Sequence, residues 1–190
     1  MIIALSAKKQ HGKDTVANII QELTNNKFKI VKFADILKDF VCNLISCTRD
    51  ELENEEFKNT PLPSQWDFLD DDCIMQKMTP RLLLQKIGTD AMRNNVHQNV
   101  WINSTLSKYK ENYYWIITDL RFKNEAEALN SYNSQLIRIN RPSIKNIDYH
   151  QSEIELDDYT GFDYTIVNDS DLDTLKSNVK KILQELEIIK

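Results

Sequence analysis

The chain has 190 residues, a length that suits one globular domain carrying an excursion rather than several domains. Its formal net charge of −5 argues against a general nucleic-acid binder, which would be basic, while 41% hydrophobic residues suffice for a sizeable core. Cys42, Cys47 and Cys73 are odd in number and lack C-x-x-C spacing, which argues against a zinc site or a disulfide framework and fits a reducing cytosol. The first apolar run is too short for a signal peptide, and no stretch approaches the length of a membrane span. A cytoplasmic chain without a membrane or nucleic-acid partner is therefore expected.

Residues 1–5 form an apolar run that reads as a buried strand, and a polar loop follows over 6–12. Lys13-Asp14-Thr15 then opens a helix whose apolar positions, Val16, Ala17, Ile19, Ile20 and Leu23, share one face. Strand, loop, Gly-Lys and helix make the setting of a phosphate-binding loop, where amides at a helix N-terminus attract an anion and the Lys adds a full charge. The pattern G-x-x-x-x-G-K-[ST] is imperfect here. Ala7 stands at the first Gly, which requires a negative φ there, and the hydroxyl comes one residue late, at Thr15. The other reading is a Lys-rich turn capping a core helix. Of only three glycines in the chain, Gly12 sits at the needed place.

Residues 28–33 read as a second buried strand that ends at Ala34-Asp35. Helical spacing resumes over 36–45 with Leu37, Phe40, Val41 and Leu44. Lys38 lies in the first turn, where the helix dipole disfavours a cation, so it is either solvated or placed to meet an anionic ligand. Residues 49–72 are acidic, hold Pro61 and Pro63, and read as an irregular excursion with a short helix over 50–58, a solvated flap or a lid. An acidic flap would repel a nucleotide, so a working lid should offer exceptions, and Lys58 is a candidate. Thr79 as N-cap and Pro80 in the first turn start the next helix, with Leu83, Leu84, Ile87 and Met92 at helical spacing and Arg81, Gln85 and Arg93 as its polar groups. Gly88 inside that helix costs about 1 kcal/mol against Ala. It marks a close approach, either a packing contact or a substrate passing over the backbone. Trp101 is core or a platform for a base, and helix continues to about residue 110.

Residues 113–118 read as the third buried strand, closed by Asp119, which after a phosphate loop is a natural contact for Mg²⁺ or substrate. Arg121, Asn124 and Glu125 crowd the turn that follows, as a site or as a surface pair. Residues 135–139 form the fourth strand, with Arg138 and Arg141 bracketing its end, and a planar guanidinium suits bidentate phosphate contact. Residues 142–162 are polar and poorly periodic; by spacing, His150-Gln151-Ser152-Glu153 is neither a triad nor a metal site. The fifth strand, 164–167, ends at Asn168-Asp169, and a final helix over 171–188 buries Leu172, Leu175, Val179, Ile182, Leu183 and Leu186. Short apolar strands alternating with helices predict an α/β fold: a five-stranded, mostly parallel sheet with helices on both faces, binding its ligands at C-terminal strand edges.

GKDTVA, the ADILKD turn, FKNTPL, TPRLLLQKIGTDAMR, Trp101, DLRFKNEA, RINRP followed by HQSE, and DYTIVND stand here in one order. In this the chain resembles the bacteriophage-type deoxynucleoside monophosphate kinases (dNMP kinases) over nearly its whole length, most specifically in TPRLLLQKIGTD and DLRFKNEA. The resemblance implies a P-loop nucleoside-monophosphate-kinase fold with its core at 1–34 and 112–190, a monophosphate-binding helical region near 35–111 and a lid near 141–162. It implies transfer of the ATP γ-phosphoryl group to a dNMP with Mg²⁺, in support of DNA synthesis. It further implies a homodimer in the cytoplasm, that of the host if the source is a phage. Carried over, Lys9, Gln10, Gly12, Lys13, Asp14 and Thr15 would hold the ATP phosphates, with Asn168 near adenine. Leu37, Lys38, Arg81, Gly88, Trp101, Asp119, Arg121 and Glu125 would line the monophosphate pocket. Lys13, Arg81, Asp119, Arg121 and Arg141 would carry catalysis, and Thr15 and Asp119 would meet Mg²⁺, Asp119 through water. The chain departs from the family at Ala7, where Gly is common, at Gln10, where some members are basic, and at Asp90, where Glu is frequent. The competing readings are a dephospho-coenzyme A kinase or similar small-molecule kinase, and a nucleotide-binding regulatory module without turnover. The second would have no need to gather Asp119 and three arginines.

Overall fold

Six consecutive buried residues, Ile2–Ala7, form the middle strand of the sheet. The computed structural model describes residues 1–144 and 154–190. In chain order the elements begin β1 (Ile2–Ala7), α1 (Lys13–Leu23), β2 (Lys29–Val31), α2 (Asp35–Ile45), α3 (Arg49–Glu53) and α4 (Glu55–Asn59). There follow β3 (Phe68–Leu69), β4 (Met75–Gln76), α5 (Pro80–Gln85), α6 (Val100–Leu106), β5 (Trp115–Ile117), α7 (Lys123–Leu129), β6 (Ser134–Asn140), β7 (Tyr164–Val167) and α8 (Leu172–Glu185). The described residues divide into a sheet unit, Met1–Phe33 with Lys108–Lys190, and a helical unit, Ala34–Ser107. No helix among the described residues is long and apolar enough to cross a membrane.

The sheet unit carries strands in the order β2-β5-β1-β6-β7, every neighbouring pair parallel. Alternation along β1 sends Ile3, Leu5 and Ala7 to one face, where they pack with Val16, Ala17, Ile19 and Ile20 of α1 and Leu175, Val179, Ile182 and Leu183 of α8. Ile2, Ala4 and Ser6, on the opposite face, are equally buried. A parallel strand covered on both faces reads as an unbroken apolar run, which is why Met1 to Leu5 was legible. Each such aliphatic side chain contributes about 1.5–3 kcal/mol on burial. This packing fixes the C-terminal end of β1, and the loop leaves from that end.

Several elements differ from the sequence expectation. β2 has three residues rather than six and lies at the sheet edge, with Lys29 exposed and only its flanking Phe28 and Phe33 fully enclosed. Leu172 is 60% exposed because it occupies the first turn of α8, ahead of the face that reaches the sheet. Phe40 and Leu44, placed by spacing on the apolar face of α2, are exposed at 53% and 43%, while Leu37 and Val41 are buried.

Within the helical unit the acidic excursion holds more order than composition suggested. Thr48 and Glu51 form a reciprocal capping box on α3, Asn54 caps α4, and Leu52 is fully buried. Its carboxylates are paired rather than merely solvated: Glu53 with Lys38 at 2.6 Å, and Glu55 with Lys58 at 2.6 Å and Arg81 at 2.8 Å. A two-stranded antiparallel ribbon, β3 with β4, closes the segment. Thr79 caps α5 as expected, accepting the Leu82 N–H at 3.2 Å. After Gln85 the helix widens to π geometry over Lys86–Arg93 instead of continuing as α.

Candidate active site

The loop after β1 turns on two left-handed residues, Gln10 at φ 66° and Gly12 at φ 93°. Ala7 is not among the positive-φ residues and ends β1, so the missing first Gly costs nothing there. Gly12 is required twice over. Its φ suits glycine, and a Cβ there would come within 2.5 Å of Asn168 Nδ2. That amide donates to the His11 carbonyl at 3.0 Å, so buried Asn168 props the loop from behind. The Val16 N–H bonds the Gly12 carbonyl at 3.0 Å, which starts α1.

A hollow of about 380 Å³ opens over this loop, lined by Lys9, Gln10, Gly12, Lys13, Asp14 and Thr15 together with Ala7, Lys8, Arg121 and Arg141. Lys13 is mostly enclosed, its Nζ 3.3 Å from Asp14. Burial holds its pKa below the ordinary lysine value, Asp14 and Asp119 oppose that, and the Arg121 charge reinforces it. Asp119 follows β5, and its Oδ1 accepts the Phe33 N–H at 2.9 Å. Glu125 is fully buried, and its Oε2 accepts the N–H groups of Arg121 at 2.9 Å and Phe122 at 3.2 Å. It fastens the turn that presents Arg121, while capping α7. Arg138 does not line this hollow. It donates to Ser6 Oγ and Asp157 Oδ1, each at 2.8 Å.

The helical unit holds the remaining candidates. Trp101 is 6% exposed and donates its indole N–H to the Gly88 carbonyl at 2.9 Å. A Cβ on Gly88 would meet Leu37 Cδ2 at 2.7 Å, so the glycine serves a packing contact. Leu37, Gly88 and Trp101 are thus one packed group. Lys38 is paired with Glu53, and Arg81 donates Nε to Asn59 Oδ1 at 2.9 Å and pairs with Glu55.

A divalent cation accompanying a triphosphate needs hard oxygen donors and takes few of them from the protein. The Thr15 hydroxyl and the Asp119 carboxylate are donors of that kind. Among the described residues no cluster of three or more His, Cys, Asp or Glu is arranged to hold a metal without such help. The donor set fits a cation held largely by phosphate oxygens and water.

A family model for deoxynucleotide monophosphate kinases matches residues 49–179, more than half of the chain. The chain belongs to the deoxynucleotide monophosphate kinase family. It is 28% identical, over 193 aligned positions, to a protein of Acanthamoeba polyphaga mimivirus that bears this name provisionally, with 94% of each chain covered. The deoxynucleotide monophosphate kinase of Enterobacteria phage T4 is 32% identical over 118 residues, which cover 60% of this chain and 48% of the phage protein. Among solved structures the chain is similar to a dephospho-CoA kinase from Campylobacter jejuni at 17% identity and a TM-score of 0.49, covering 97% and 96% of the two chains. That last likeness is too loose to bear on substrate. The match to the deoxynucleotide monophosphate kinase model begins at Arg49, beyond the phosphate loop, so loop geometry and family membership are separate observations.

Sequence reasoning about this deoxynucleotide monophosphate kinase family member passed over His11, an ordinary position inside the loop pattern. It also passed over Lys8, whose Nζ reaches Asp157 at 2.6 Å across 149 positions of chain. Local spacing holds no signal for a partner so distant. The segment His150-Gln151-Ser152-Glu153 and the middle of the expected lid lie outside the described residues.

Proposed function

We propose that this kinase transfers the γ-phosphoryl group of ATP to a deoxynucleoside monophosphate, giving the diphosphate and ADP. The observation that carries the reading is the 380 Å³ hollow in which loop residues, Lys13, Arg121 and Arg141 converge. Phosphoryl transfer asks a protein for in-line placement and for positive charge around the moving group. In this reading the loop from Lys9 to Thr15 binds the ATP phosphates and Lys13 spans the β- and γ-phosphates. Asn168 keeps the loop in shape beside the adenine. Arg81 and Arg121 bind the acceptor phosphate. Arg141 neutralises charge on the transferring group. Leu37, Gly88 and Trp101 shape the wall of the acceptor site, Lys38 adds charge to it, and Glu125 acts by fixing Arg121. Asp119 and Thr15 would hold Mg²⁺, Asp119 through water, and the ion would supply charge neutralisation at the phosphate oxygens.

The test is ADP release in a coupled assay with dGMP, dTMP, dCMP, hydroxymethylated dCMP and dAMP in turn, and dephospho-coenzyme A as a control. Turnover with at least one dNMP is expected. Turnover only with dephospho-coenzyme A, or with none of them, overturns the reading. Omitting Mg²⁺ should abolish the signal. The reading takes the cytoplasm as location, in keeping with thiols free at Cys42, Cys47 and Cys73. It also takes a dimer as the working form, which sedimentation velocity at assay concentration checks.

A further inference from the structure

The imidazole of His11 has no part in the roles above, yet it sits in the middle of the phosphate loop and is 7% exposed. Its Nδ1 accepts the backbone N–H of Arg141 at 3.0 Å, a bond that joins residues 130 positions apart. Its main chain is held as well, by Asn168 at the carbonyl and by its own N–H to Lys8 O at 3.2 Å. The ring does not line the hollow over the loop. It lines a second hollow of about 700 Å³, on the sheet unit, beside Lys8, Arg138, Asn140 and Arg141. The imidazole therefore lies outside the lining of the proposed phosphate site, but it grips the residue whose guanidinium is proposed to act there.

We propose that His11 is a positioning residue for phosphoryl transfer, its neutral imidazole fixing the backbone of Arg141 to the phosphate loop. The inference rests on the kinase reading above. A neutral imidazole has one donor and one acceptor nitrogen, and Nδ1 is the acceptor here, so the proton resides on Nε2. Nε2 is buried, and none of the described residues gives it a hydrogen-bond partner. A second proton, on Nδ1, would face the Arg141 N–H and break the bond. Burial lowers the His11 pKa, with help from the Arg138 and Lys8 charges and opposed by the Ile139 and Ile144 backbone, so the acceptor form is the one kept. An arginine that acts on a transferring group is sensitive to its anchor, because a misplacement of about 1 Å can cost roughly 100-fold in rate.

The test compares His11→Ala, His11→Asn, Arg141→Ala and the His11→Ala/Arg141→Ala double variant for kcat and both KM values. The Asn side chain offers Oδ1 near the place of Nδ1, and thermal melts report whether each variant is folded. His11→Ala should lower kcat by about 10- to 100-fold with the acceptor KM within about twofold. His11→Asn should recover most of that loss. In the Arg141→Ala background the His11 substitution should add little. The inference falls if the two single losses multiply in the double variant, if His11→Asn is no better than His11→Ala, or if His11→Ala turns over normally. Absence of turnover by the wild-type chain with every dNMP overturns the kinase reading and this inference with it.

Discussion

Lys13 is a cation enclosed before its anionic partner arrives, and the enclosure carries a stability cost. Its folded pKa lies below the ordinary lysine value, with burial as the leading cause and Asp14 and Asp119 only partly compensating. A depressed pKa in a base means that the folded state disfavours the proton. The penalty is present in full below the folded pKa. It fades as pH rises from the folded pKa toward the unfolded value. Lys13→Met should therefore abolish turnover while raising Tm in the absence of nucleotide, by about 2–4 °C for each kcal/mol recovered. Differential scanning calorimetry at pH 7 and again near pH 10 checks both claims, since the gap between variant and wild type should narrow at the higher pH. Equal melting at pH 7, or a variant that retains its activity, contradicts the account. That Lys13 and Thr15 would open α1 beside the loop was legible from the loop pattern alone, because strand, loop and Gly-Lys set the start of a helix. His11, the propping role of Asn168 and the turn-fastening role of Glu125 were not, because each acts through a backbone group that a residue pattern does not encode.

Elements with a covered apolar face were readable, and elements defined by one close contact were not. β1 followed from its unbroken apolar run, and α1 and the buried face of α8 followed from periodicity because the sheet covers a continuous stripe of each helix. β2 was overread because an edge strand needs only one partner and few enclosed side chains. The π segment over Lys86–Arg93 escaped altogether, since its apolar spacing fits an α-helix as well. At its end the Asn94 N–H reaches back five residues to the Thr89 carbonyl. Such widened turns recur at functional sites, and here the widening sits where Gly88 receives both Leu37 and the Trp101 N–H. Two readings of Gly88 were open from sequence, and the 2.7 Å that would separate an added Cβ from Leu37 Cδ2 supports packing. Gly88→Ala should relieve backbone entropy but push α2 away, for a net destabilisation of about 1–3 kcal/mol. Urea unfolding measures it. A variant at least as stable as wild type would mean that Leu37 moves aside freely.

At the scale of the whole chain, the two units carry different parts of the proposed chemistry. The sheet unit holds the loop residues, Lys13, Arg121 and Arg141 around one hollow. The helical unit holds Lys38 and Arg81, each paired with a carboxylate of the acidic excursion. Composition suggested that those acids were there for solvation. Their pairing gives them a second effect, since Glu53 and Glu55 neutralise the two cations assigned above to the acceptor site. If the division of labour holds, a change in the helical unit should be felt by one substrate only. Arg81→Lys keeps the charge but loses the planar fork that meets Asn59 and Glu55 together. One charge-assisted hydrogen bond contributes about 1.5–3 kcal/mol. Losing one to the acceptor phosphate should raise the dNMP KM by roughly 10- to 100-fold. The ATP KM should stay within about twofold, because no ATP-binding group has been altered. Steady-state kinetics with each substrate varied against saturating partner reads the split. A parallel rise in both constants would show that Arg81 supports the fold or the donor site instead, and the assignment of the acceptor phosphate to this arginine would be withdrawn.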